Sequence, residues 1–227
     1  MCISVPRIID SFLVVDGRAT GILTHQQRFV TAVRDSYGET RAGEAEELYA
    51  QLGSRVTAGR RFPRLEATVS GVTMVDRPAP AQGTVLEVQD EPVVDERQWP
   101  ELKGPELNWL QDAARDGEVV LLRGGAVAET TTAAIVLLTE TGFVGPDAPA
   151  LRSTTRHWFS QAIGPVHSRR IEAAELYRAM AEGRAFALNA LHGVRPIVAA
   201  GSARNRAAVQ QAAQWRARWL TDAEPLL

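Results

Sequence analysis

Residues 7–15, RIIDSFLVV, are apolar at most positions, which predicts a strand. A turn at Asp16–Gly17 and a short second strand to about Leu23 complete a hairpin signal. Thr24 suits the N-cap of a helix carrying Phe29, Ala32 and Val33 on one face and stopping near Gly38. A second helix through Ala45, Leu48, Tyr49 and Leu52 is expected to stop at Gly53. Residues 64–88 read as strands broken by turns: RLEATVSGVTMV, RPAPAQG, then TVLEVQ. The polar, proline-bearing stretch DEPVVDERQWPELKGP reads as a crossing from an N-terminal part to the rest.

Beyond it, Pro105 suits a helix first turn, with Leu107, Leu110, Ala113 and Ala114 on its apolar face and Gly117 at its end. Short strands follow in EVVLLR, AVAE and AAIVLL, broken by a Gly124–Gly125 turn. A helix is expected after Arg156, then two strands in RAFALNAL and VRPIVAAG. A last helix from Ser202 places Ala208, Ala212, Trp215 and Trp219 on one face. Strand-rich halves with segregated helices predict an α+β fold, divided into residues 1–98 and a larger domain, 99–227. No internal repeat or low-complexity tract interrupts the pattern.

Composition adds bounds. The chain has 227 residues, 45% hydrophobic and 23% charged, as in an ordinary soluble globular protein. A net charge of −2 argues against bulk attraction to nucleic acid or an anionic membrane. Cys2 is the one cysteine, so no internal disulfide forms. The start MCISVPRIID lacks a secretory pattern, and the apolar run AAIVLL is too short to span a bilayer. A cytoplasmic protein is the expectation.

The chemistry begins with an imbalance. Of 25 Lys plus Arg residues only Lys103 is lysine. Guanidinium stays protonated, whereas a lysine amine can lose its proton and attack a carbonyl. Lys103 is therefore either a leftover surface residue or a position that needs an amine. The histidines His25, His157, His167 and His192 have no metal-ligand spacing and read as structural or surface residues. There is no GxGxxG, P-loop or GxSxG motif. AETTTAA puts Glu129 at a strand end before Thr130, Thr131 and Thr132, and LRSTTRHW puts Ser153, Thr154 and Thr155 before a helix. Such hydroxyls cap helices or hold a phosphate.

Taken in order, HQQR, ELKGP, AET, STTR and NALHGVRP resemble the class IV aminotransferase family, the fold-type IV pyridoxal phosphate enzymes, over nearly the whole chain. The resemblance implies a D-amino-acid aminotransferase-like fold: a small N-terminal α/β-sandwich domain and a larger domain with a barrel-like sheet. It implies pyridoxal 5'-phosphate in a cleft between them, and a homodimer. By position, Lys103 matches the lysine that forms the Schiff base and Glu129 the acid facing the pyridinium nitrogen. Arg28, Thr154 and Thr155 match phosphate-holding residues, and Ala190 and Leu191 match a second phosphate loop. The NALHG segment points towards the aminodeoxychorismate-lyase-like members, which release pyruvate to leave an aminobenzoate. An aminotransferase acting on a small amino acid is the alternative, and an idle cofactor-binding relative a third. Asn108 stands about where many family transaminases carry Tyr, and Ala190 where several carry Thr, which points away from a branched-chain transaminase. Arg77 and Arg97 are candidates for substrate recognition or for ion pairs.

Overall fold

The structure, a computed structural model, describes residues 7–227; Cys2 and the rest of the first six residues lie outside the described residues. The chain forms two compact units. One takes in residues up to Ala81 with Leu102–Glu106 and Asp222–Leu227, and the other Gln82–Glu101 with Leu107–Thr221. The first crossing thus falls after Ala81 instead of near 98, and the lysine segment returns to the first unit. The cause is local: Ile9 N–H donates to the Lys103 carbonyl at 2.7 Å.

The first unit begins with β1 (Ile8–Ser11), β2 (Val14–Val15) and β3 (Arg18–Ala19). Helices α1 (Ile22–Tyr37), α2 (Glu39–Ala50) and α3 (Leu52–Arg55) follow, then β4 (Arg60–Arg61), β5 (Arg64–Thr68) and β6 (Gly71–Val75). β5 is the centre of an antiparallel sheet, with β1 on one side in the register Asp10↔Leu65 and β6 on the other. A smaller sheet joins β3, β2 and β4 to a two-residue strand, Glu224–Pro225. Phe12, Phe29 and Tyr49 are buried together where α1 and α2 close over β1.

Two expectations need correction here. Thr24 lies inside α1, which starts two residues earlier because Gly21, at φ +68°, turns the chain into it without a side-chain cap. Gly53 does not end the second helix. α2 breaks at Gln51, and Gly53 sits in α3 with its N–H on the Leu227 carbonyl at 3.0 Å.

The second unit contains β7 (Leu86–Val88), β8 (Val93–Val94), α4 (Leu107–Ala113), β9 (Val120–Arg123) and β10 (Ala126–Thr130). Then come β11 (Ala134–Thr139), β12 (Gly142–Pro146), α5 (Thr154–Ala162), β13 (Val166–Arg169) and α6 (Ala173–Ala181). β14 (Ala185–Asn189), β15 (Gly193–Ala199) and α7 (Arg206–Thr221) complete it. A six-stranded mixed sheet runs β13-β12-β11-β14-β15-β7, and a three-stranded sheet runs β10-β9-β8. The two adjoin where Gln89 N–H meets the Glu118 carbonyl at 2.8 Å and Thr130 N–H meets that of Ala133 at 2.9 Å. Their shared core is aliphatic: Val88, Val120, Val127, Ile135, Leu137, Leu176 and Ile197.

The elements expected from the sequence do not include β12, β13 or α6. The helix expected after Arg156 starts at Thr154, because Ser153 caps it by accepting the Arg156 N–H at 3.1 Å. The last helix starts at Arg206, not Ser202: Asn205 Oδ1 accepts the Ala208 N–H at 3.1 Å. The expected face of α4 is only half-buried at Leu107 and Leu110.

Candidate active site

The candidate residues fall in both units. In the first, the Lys103 segment lies along β1. Gly104 holds φ +130°, and a Cβ there would stand 2.1 Å from the Arg7 carbonyl oxygen, so only glycine lets the chain come this close. The Lys103 amine donates to the Ser11 carbonyl at 3.4 Å and lies 3.6 Å from Asp10 Oδ1.

Asp10 is fully buried and collects cations and donors. Its Oδ1 accepts from Arg28 Nη2 at 2.6 Å and from the Ser11 N–H at 2.8 Å. Its Oδ2 is bonded by His25 Nδ1 at 2.8 Å and by the Tyr49 hydroxyl at 3.1 Å. Burial alone would raise its pKa, but Arg28, His25 and Lys103 outweigh burial and hold the carboxyl well below its usual range. Burial pushes His25 down against the pull of Asp10, so the imidazole is neutral and its Nδ1–H is the donor. Burial likewise lowers Lys103 to about 8, helped by the charges of Arg28 and Arg64 and opposed by Asp10. An amine with that value is partly free at neutral pH, as a nucleophile must be.

In the second unit Glu129 lies on β10, every residue of which is buried. The ladder with β9 slips between Val127 and Glu129, a bulge of the kind that re-aims a side chain. Glu129 Oε1 accepts from Arg97 Nη2 at 2.7 Å, and Arg97 also binds Asp95 at 2.8 and 2.9 Å. Arg123 adds a further contact to Asp95 at 3.1 Å. Burial raises Glu129 to about 7, against the lowering effect of Arg97. Arg97 is thus a buried ion-pair residue facing the ring of Trp109 at 6.0 Å. Two residues past Glu129, the buried Thr131 hydroxyl has no hydrogen-bond partner among the described residues. Thr130 and Thr132 both bond Glu118.

Thr154 and Thr155 are buried in the first turn of α5, where the positive helix end favours an anion. Ala190 and Leu191 form the turn between β14 and β15. Leu191 N–H and His192 N–H both point to Asn189 Oδ1, at 3.2 and 2.8 Å, so this turn is braced by its own asparagine. Asn189 also ties it to the Thr132 carbonyl at 3.2 Å.

Among the other candidates, Arg77 bonds the Phe62 carbonyl at 3.2 Å, with Ser11 Oγ at 3.5 Å. His157 and His167 are exposed, and His192 Nδ1 accepts from the Gly83 N–H at 3.1 Å. Among the described residues no His, Cys, Asp and Glu cluster could hold a metal, and no helix is long and apolar enough to cross a membrane. Sequence reasoning passed over Asp10, His25 and Tyr49. The available signals were an acid inside the apolar run IIDSF and the three-residue spacing of His25 and Arg28 on one helix.

No protein-family model matches the chain, and no curated protein sequence does. Solved structures do match. A hypothetical aminotransferase from Mycobacterium tuberculosis, in PLP-bound form, is 19% identical with a TM-score of 0.72, covering 96% of this chain and 90% of that one. A fold IV-transaminase from Curtobacterium pusillum is 16% identical with a TM-score of 0.69, covering 93% and 86%. A protein from Haemophilus somnus 129pt, proposed as a 4-amino-4-deoxychorismate lyase, is 18% identical with a TM-score of 0.64, covering 83% and 97%. The chain therefore has the α+β fold of the fold-type IV pyridoxal phosphate enzymes.

Proposed function

We propose that this protein is a pyridoxal-phosphate-dependent enzyme acting at the α-amino carbon of a small amino substrate, most closely an aminodeoxychorismate-lyase-like enzyme. The observation that carries the reading is the placement of Lys103: the sole lysine of the chain, on this fold, stands 3.6 Å from the buried carboxylate of Asp10 with its carbonyl fixed by Ile9. The residues fit the cofactor. Lys103 offers a partly deprotonated amine to the aldehyde, and Glu129 offers a buried carboxyl to the ring nitrogen. The first turn of α5, with Thr154 and Thr155, offers donors to a phosphate. Arg28 supplies a cation and the Ala190–Leu191 turn lies next to the Thr132 carbonyl through Asn189.

When bound, pyridoxal phosphate withdraws electrons from the substrate's α-carbon. The chain's own groups do the rest. Glu129 favours a protonated ring nitrogen by opposite charge. The Lys103 amine would take the α-proton and return it to the departing or accepting atom. A homodimer in the cytoplasm belongs to the same reading.

The lyase reading is supported by the NALHG turn and by coverage of 97% of the length of the Haemophilus somnus protein. The aminotransferase reading is supported by the likeness to the two transaminase structures. The test has two stages. Purified protein given pyridoxal phosphate should gain a visible band, and borohydride should fix the cofactor on the Lys103 peptide; Lys103→Ala should do neither. Colourless wild-type protein would overturn the reading. Pyruvate release from 4-amino-4-deoxychorismate without a keto-acid acceptor then selects lyase, and acceptor-dependent amino transfer selects aminotransferase.

A further inference from the structure

Asp10 has a role that resemblance alone does not assign. A carboxylate has about four lone-pair directions to offer. Here the Arg28 guanidinium and the Ser11 N–H take two on Oδ1, and His25 and Tyr49 take two on Oδ2. The Lys103 amine stands at 3.6 Å, beyond the usual hydrogen-bond length. It feels the negative charge without being locked onto an oxygen. Its one hydrogen bond in this cluster is the long one to the Ser11 carbonyl, at 3.4 Å.

We propose that Asp10 is a positioning residue for Lys103: its carboxylate, filled by the donors of α1, α2 and β1, holds the amine mainly by charge, at 3.6 Å, and leaves it free to move. The groups that face this pair are His25 and Arg28 from α1, Tyr49 from α2, Arg64 from β5 and Arg77 through Ser11. His25 is neutral and Arg28 and Arg64 repel the ammonium, so Asp10 is the counter-charge. Ile9, Asp10 and Ser11, consecutive on β1, meet the main chain, the charge and the amine of one residue. The catalytic meaning of this arrangement rests on the function proposed above.

The test needs no cofactor. Because Lys103 is the only lysine, trace labelling of the folded apoprotein with acetic anhydride across a pH series, read by peptide mass spectrometry, reports its titration directly. Asp10→Asn should lower the midpoint by about one unit, as loss of a close counter-charge does. Asp10→Glu should restore part of it. Arg28→Gln should move the midpoint upwards, since it removes a repelling cation and frees an oxygen of Asp10 for the amine. If Asp10→Asn does not fold, Tyr49→Phe decides the matter: it frees a lone pair on Asp10 without removing a charge and should raise the midpoint. A midpoint unmoved in folded variants overturns the proposal, whatever the protein does with pyridoxal phosphate. A shifted midpoint in a protein that binds no pyridoxal phosphate upholds the local coupling and removes only the function reading.

Discussion

The main-chain N–H of Ile9 donates to the carbonyl of Lys103 at 2.7 Å, so β1 fixes the point from which the only lysine side chain departs. The next residue makes that bond possible. At Gly104 an added Cβ would stand 2.1 Å from the Arg7 carbonyl and 2.6 Å from Ile9 Cγ1, at a φ that side chains rarely adopt. Gly104→Ala is expected to cost about 3 kcal/mol in a urea titration, from backbone strain and overpacking together. It should also bring acetylation of Lys103 closer to that of a free lysine. Unchanged stability would show that the segment is not held against β1.

Glu129 titrates at about 7 in the folded protein, against an ordinary 4.5. Between those values the folded chain holds a proton that the unfolded chain has released. The residue therefore makes the fold less stable as pH rises through this window. Glu129→Gln should be more stable than wild type above pH 7, by up to about 3 kcal/mol. The advantage should vanish below about pH 4.5. Melting temperatures of both proteins across this range check it; a pH-independent difference would contradict it.

Arg97 joins two buried carboxylates, Asp95 and Glu129. Arg97→Met should destabilise by about 3 kcal/mol, because Asp95 then stays buried with Arg123 as its cation and Glu129 must take up a proton. Combining it with Glu129→Gln should recover part of the loss. A double-mutant cycle measures the coupling, and additive losses would mean that Arg97 acts through packing alone.

Ser153 caps α5 ahead of Thr154 and Thr155. Ser153→Ala should cost about 1 kcal/mol in chemical denaturation and Ser153→Asp almost nothing. Equal losses from both would show that the hydroxyl does not cap the helix.

Lys103 and Glu129 are legible in the sequence because each is a chemical exception to its surroundings, an amine among guanidiniums and an acid in an apolar strand. The cluster around Asp10 is not, because His25, Arg28 and Tyr49 stand 15, 18 and 39 residues from Asp10, and Lys103 stands 92 from Ser11. Only the fold turns five distant positions into one electrostatic unit. Helix α6 carries Leu176, Ala179 and Met180 at helical spacing, so its pattern is readable. β12 and β13 are different: GFVGP begins with glycine and ends with proline, and VHSR is mostly exposed, so neither shows a two-residue period. Ser202 and Asn205 are both acceptable caps for α7, and the choice between them rests on where the Asn205 side chain lands.

The strand Glu224–Pro225 pairs with β3 about two hundred residues after β3 itself. On the ribosome, β1 to β6 emerge early, yet their unit lacks the lysine segment until residue 106 and an edge of its smaller sheet until residue 225. The N-terminal part must wait, partly assembled, while most of the second unit is made. Slow, late closure by distant pairing is the expected folding signature. A nascent chain stalled before residue 222 should therefore be more open to protease in β2–β4 than the released protein.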